Sequence, residues 1–198
     1  MKAEKAAIFF IEFQNEFCKE GGKLHGLVCD EMARNRTIEN AVRLLDGSRR
    51  KNARIIHIPF VLDSEWIEEN HIDGLISNLN EIKAFAKDSW GGAIIDELKP
   101  RDLETVLVRK RALSAFFHTQ VNELLHDGPV ESIGVCGFLT NVCVQATAWC
   151  AYDLGYKVRI IPEACCATSQ ANQEYVEREI CPILGGAPTV DEFLNEID

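Results

Sequence analysis

The sequence predicts an α/β fold, three α/β/α layers around a mostly parallel central sheet. Five apolar, β-branched runs are near-continuous rather than alternating, as suits strands buried on both faces. Segments with helical spacing separate them, and strand–helix alternation implies right-handed βαβ units. The length of 198 residues matches one domain, taken here as 1–198.

The runs are Ala6–Phe13, Arg54–Leu62, Thr105–Arg109, Ser132–Phe138 and Lys157–Pro162. After the first, Ile38, Ala41, Val42 and Leu45 share a helical face that stops before Gly47. Asp63 to Arg101 is longer than one crossover helix needs; it reads as a helix plus an irregular excursion that walls a pocket. Val121, Leu124 and Leu125 mark another helix, ended by Asp127-Gly128-Pro129. Val142 to Leu154 reads as a third, with Gly155 as its C′ residue. The tail holds a Gly-Gly-Ala-Pro turn and then a short helix from near Thr189.

Composition narrows the function classes. Hydrophobic residues make up 46% and charged residues 26%, so the chain reads as globular. A net charge of −10 with no Lys/Arg block argues against a nucleic-acid partner. No apolar stretch reaches the roughly 18 residues of a membrane span. The apolar run behind Lys2 and Lys5 is short and interrupted by Glu12, unlike a secretory leader. The expected setting is the cytoplasm, with the eight cysteines as thiols. There is no C-x-x-C pair, no H-E-x-x-H, no P-loop and no G-x-G-x-x-G after the first strand. The expectation is therefore no metal and no cofactor. His57, inside the second strand, reads as a satisfied core residue. The Cys165-Cys166 pair reads as packing.

Ligands of open parallel sheets gather outside the carboxyl ends of the strands. Glu12 ends the first strand, Lys110 the third, and Cys143 follows the fourth. A thiol in a first helical turn meets the positive end of the helix dipole, which favours the nucleophilic thiolate. A small residue packing a helix onto the sheet fits the same pattern. Glu12 interrupts an apolar strand, where a carboxylate needs a partner such as Lys110. A structural ion pair satisfies that pattern too. Lys110 lies among three consecutive basic residues and also fits a solvated cluster.

At these residues the chain resembles the isochorismatase-like cysteine hydrolases, a family that includes nicotinamidases, N-carbamoylsarcosine amidases and biuret-type amidohydrolases. Ile11-Glu12-Phe13-Gln14-Asn15-Glu16-Phe17 is similar to the family's D-x-Q-N-D-F, and Lys110-Arg111-Ala112-Leu113-Ser114-Ala115-Phe116 to K-x-x-Y-S-A-F. Gly137 to Val144 is similar to G-x-x-T-x-x-C-V, and Trp90-Gly91 to an element preceding the third strand. The resemblance covers about residues 5–170.

It implies a Rossmann-like isochorismatase hydrolase fold and a triad of Glu12, Lys110 and Cys143. It further implies a cis Phe138–Leu139 peptide, an oxyanion hole of the Leu139 and Cys143 N–H groups, a small-molecule substrate with a scissile C–N bond, a thioester intermediate, and a homo-oligomer. Phe17, Trp66, Trp90 and Phe138 are the expected substrate-binding wall. Glu12 departs from the family's Asp; its extra methylene moves a carboxylate by about 1.5 Å on a fixed backbone, against a tolerance of about 0.5 Å. A relative without catalysis, with a binding or scaffolding role, is therefore an alternative. An ether hydrolase of the isochorismatase type is another. Pro59 to Ser64 holds one Asp and no paired histidines, unlike the metal site of nicotinamidases, and Leu113 stands at an aromatic position.

Overall fold

The computed structural model describes residues 1–198. Five strands, β1 (Ala6–Ile11), β2 (Arg54–Ile58), β3 (Thr105–Val106), β4 (Ser132–Phe138) and β5 (Lys157–Cys166), form one parallel sheet in the order β3-β2-β1-β4-β5. β1 and β4 lie at its centre and are buried along their whole length, the reason both read as unbroken apolar runs.

The helices are α1 (Asn15–Cys18), α2 (Cys29–Asn35), α3 (Thr37–Arg50), α4 (Ser64–Glu69), α5 (Leu75–Glu81), α6 (Val121–His126), α7 (Gln145–Asp153), α8 (Gln170–Tyr175) and α9 (Val190–Glu196). The chain steps from β1 to β2 in one direction and from β4 to β5 in the other. Right-handed crossovers therefore place α3 and α7 on opposite faces. α9 begins with a capping box, Thr189 with Glu192, and its Phe193 lies over Gly134 of β4. A Cβ at Gly134 would sit 2.4 Å from that ring, so glycine is what lets α9 seat. No helix is long and apolar enough to cross a membrane.

Several boundaries differ from expectation for identifiable reasons. β1 stops at Ile11 because Glu12 has a left-handed backbone, φ 56°. β2 stops before Pro59. β3 keeps only two residues. It is an edge strand whose Val106 and Val108 face outward while Leu107 is buried, so it alternates instead of being covered on both sides. β5 runs past Pro162 to Cys166. Its register on β4 shifts from Val135↔Ile160 to Gly137↔Cys165, and this irregularity on an edge strand accommodates the proline. Gly47 lies inside α3 instead of after it; an ideal Cβ there would be 2.3 Å from Leu194 Cδ1, so the missing side chain admits α9. His57 is buried, and its Nε2 lies 2.9 Å from Glu104 Oε2. Cys165 and Cys166 are buried thiols.

Candidate functional site

The strand order reverses between β1 and β4, and the crevice at their carboxyl ends is where an open α/β sheet offers a ligand site. Ile11 pairs with Gly137 at that edge. The pairing is close: a Cβ at Gly137, whose φ is +125°, would stand 1.9 Å from the Ile11 carbonyl oxygen. Just beyond this point the two strands release Glu12 and the Phe138–Leu139 segment side by side.

Glu12 is 3% exposed, and its N–H donates to the Ile58 carbonyl (2.9 Å), tying it to β2 as well. Lys110 arrives from beyond β3, bridged to Phe60. It is fully buried: its Nζ donates to Glu12 Oε1 and to the Ala112 carbonyl (2.8 Å) and lies 5.0 Å from the centre of the Phe60 ring. Burial works against the Lys110 charge, but Cys143 and the Glu12 carboxylate outweigh it and raise its pKa above the usual lysine value. The lysine stays protonated.

Cys143 lies in a π-helical turn, Thr140–Val144, ahead of α7 and not in the first turn of a regular α-helix as expected. The turn is fixed by Thr140, whose hydroxyl donates to Gln173 Oε1 (2.7 Å). The Phe138–Leu139 peptide is cis. Cys143 is 5% exposed and close enough to Glu12 and Lys110 for both charges to act on its thiol. Burial pushes its thiol well above the usual value, the Glu12 charge adds to this, and Lys110 pulls back. The expectation of a dipole-stabilised resting thiolate is thus corrected. Desolvation and the neighbouring carboxylate raise the thiol, the opposite direction to the one the helix end favours.

These groups close one end of a cavity of about 50 Å³. Phe17, Phe60, Leu79, Phe85, Leu113 and Leu139 form much of its wall. The excursion after β2 supplies two of these, Leu79 from α5 and Phe85 just after it. Three successive polar side chains hold that excursion against β1. Gln14 bridges Phe60 N–H and C=O (2.8 and 2.9 Å) and the Gly92 carbonyl (2.7 Å). Asn15 donates to the Trp90 carbonyl (2.8 Å), and Glu16 accepts from Phe85 N–H (3.0 Å) and Lys23 N–H (2.8 Å).

A family model, the isochorismatase domain, matches residues 6–187. The chain belongs to the isochorismatase family. Among related proteins, the ureidoacrylate amidohydrolase RutB of Agrobacterium fabrum is 24% identical over 100% of this chain and 92% of its own. The cysteine hydrolase of Pseudomonas syringae pv. phaseolicola superposes with a TM-score of 0.86 at 22% identity, covering 98% of this chain and 93% of its own. N-carbamoylsarcosine amidase of Thermoplasma acidophilum gives 0.73 at 22%, covering 97% and 98%. At these identities the structural likeness carries the fold. The chain is an isochorismatase-family hydrolase.

Within this isochorismatase-family site, Glu12, Lys110, Cys143 and Leu139 come together, and Phe17 joins them in the cavity wall. Trp66, Trp90 and Phe138 do not line it. Trp66 packs under the Arg111 guanidinium (4.8 Å to the ring) and beside Phe117. Trp90 contributes its carbonyl to Asn15 and is 56% exposed as a residue. Phe138 is fully buried behind Phe17, stacked on it at 5.1 Å. The sequence reading missed Phe60, Leu79 and Phe85. Nothing in their spacing separates a cavity wall from ordinary core.

Proposed function

We propose that the protein hydrolyses a C–N bond of a small molecule, with Cys143 as nucleophile and Glu12 as general base and acid. The observation that carries this is the buried Lys110–Glu12 ion pair, with Glu12 and the Cys143 thiol lining the same cavity and both charges acting on that thiol. Glu12 takes the Sγ proton as sulfur forms its bond to the carbonyl carbon. Charge gathers on the carbonyl oxygen. The Leu139 N–H, which donates to no backbone carbonyl or side chain, and the Cys143 N–H donate to it in this reading. The C–N bond breaks as Glu12 returns the proton to the departing nitrogen. Water then adds to the thioester, giving its proton to Glu12, and the released sulfur regains that proton.

Lys110 is a positioning residue, holding Glu12 in place through a charged hydrogen bond. The extra methylene of Glu12, relative to the family's Asp, is taken up with the Lys110 contact intact, which favours catalysis over a purely binding role. The test is mass spectrometry of the intact protein quenched during turnover of a panel of small amides. An acyl adduct on Cys143, absent from Cys143→Ser, is the expected result. Turnover of an amide by Cys143→Ala at the wild-type rate would overturn the reading.

A further inference from the structure

We infer that the substrate of this site carries a small, uncharged, apolar acyl group, and that amides bearing a carboxylate on that group are rejected. The inference rests on the reading of Cys143 as the attacking group only for where the scissile bond lies. Of the twelve residues lining the cavity, eleven are hydrophobic and the remaining one is Glu12. No arginine, lysine, histidine, asparagine, glutamine, serine or threonine is among the residues that line it.

The nearby cations are committed elsewhere. Lys110 donates to Glu12 and Ala112 and is not in the lining; Arg111 is held by Asp63 (2.8 Å) and stacked on Trp66; Lys23 donates to the Lys83 carbonyl (2.6 Å). A carboxylate entering the cavity would lose its water, find no countercharge, and face the Glu12 carboxylate. Burial of a charge on those terms is prohibitive. The entrance matches the interior: Leu27 and Leu75 line it, 59% and 44% exposed, although both are large and apolar. Size sets the second limit. About 50 Å³ accommodates on the order of four water-sized groups, since one needs roughly 10–15 Å³.

An isosteric pair tests this: 3-methylbutanamide against malonamate, equal in heavy atoms and different in charge. Binding to the full-length Cys143→Ala protein is measured by titration calorimetry, which needs no turnover. The neutral amide is expected to bind tighter by roughly a hundredfold or more, the penalty for a buried polar group left unpaired. Leu75→Arg, placing a cation at the entrance, is expected to narrow that ratio. Equal or tighter binding of malonamate, or binding of neither compound, overturns the inference. Wild-type protein separates the two claims. A neutral amide that binds but leaves no adduct on Cys143 sinks the hydrolytic reading and spares the acyl-group preference. An adduct from malonamate alone does the reverse.

Discussion

Replacing Glu12 by Gln is expected to stop turnover and yet make Cys143 react faster with iodoacetamide. The carboxylate raises the thiol pKa while Lys110 lowers it. The amide is isosteric, keeps an oxygen facing Lys110, and removes only the opposing charge. A unit charge about 4 Å away at an effective dielectric of about 20 contributes about 4 kcal/mol, or a thousandfold in thiolate fraction. The less basic thiolate is also a weaker nucleophile; with a Brønsted coefficient of about 0.45 this returns about twentyfold. A net gain of about fiftyfold at neutral pH remains. The assay is peptide-resolved alkylation of the folded protein, with the half-exposed Cys29 and Cys150 as internal references. Cys18 is buried and unsuited as a reference. Unchanged or slower alkylation of Cys143 in Glu12→Gln refutes the electrostatic argument. Retained turnover refutes the role of the base.

Lys110→Met is expected to act oppositely on the thiol, slowing Cys143 alkylation. It should also destabilise the fold by about 3–5 kcal/mol, because it strands a buried carboxylate; urea unfolding measures the loss, and a change below about 1 kcal/mol contradicts the pairing. Gly137→Ala forces a Cβ into the Ile11 carbonyl at a positive φ and is expected to cost more than about 4 kcal/mol, read by thermal melting. Glu104 gives an acid signature. Burial raises its carboxyl pKa, but Arg49, the Arg101 N–H and His57 overcome this and hold it at about 2, against 4.5 unperturbed. Its folded value is depressed, so its stabilisation is present above 4.5 and lost as pH falls toward about 2. Between those values wild type should lose stability more steeply than Glu104→Gln; parallel acid titrations by circular dichroism would contradict it.

The centre of the sheet was legible because β1 and β4 are covered on both faces and must be apolar throughout. The edges were not. β3 has one free side and alternates, and β5 bends around Pro162, so neither follows the rule that identified the inner strands. Glu12, Lys110 and Cys143 could be found from strand ends and motif spacing, since chemistry demands those residue types there. The protonation of Cys143 could not, because it depends on how much water the fold removes. The cavity wall was only partly visible. Trp66 and Trp90 are used for stacking and for a carbonyl, while Phe60, Leu79 and Phe85, which nothing in the spacing marks, do the enclosing.

The grip of Gln14, Asn15 and Glu16 on the excursion has a consequence for how such a protein can change. Every group they hold there belongs to the main chain: the amide and carbonyl of Phe60 just ahead of the excursion, and within it the carbonyls of Gly92 and Trp90 and the amide of Phe85. These bonds are indifferent to which side chains the excursion carries. Leu79 and Phe85 can be exchanged for other residues without loosening the clasp, and the base four residues or fewer upstream never registers the exchange. Selectivity and reactivity are thereby written on separate stretches of one short chain, and the first can be revised while the second stays as it is.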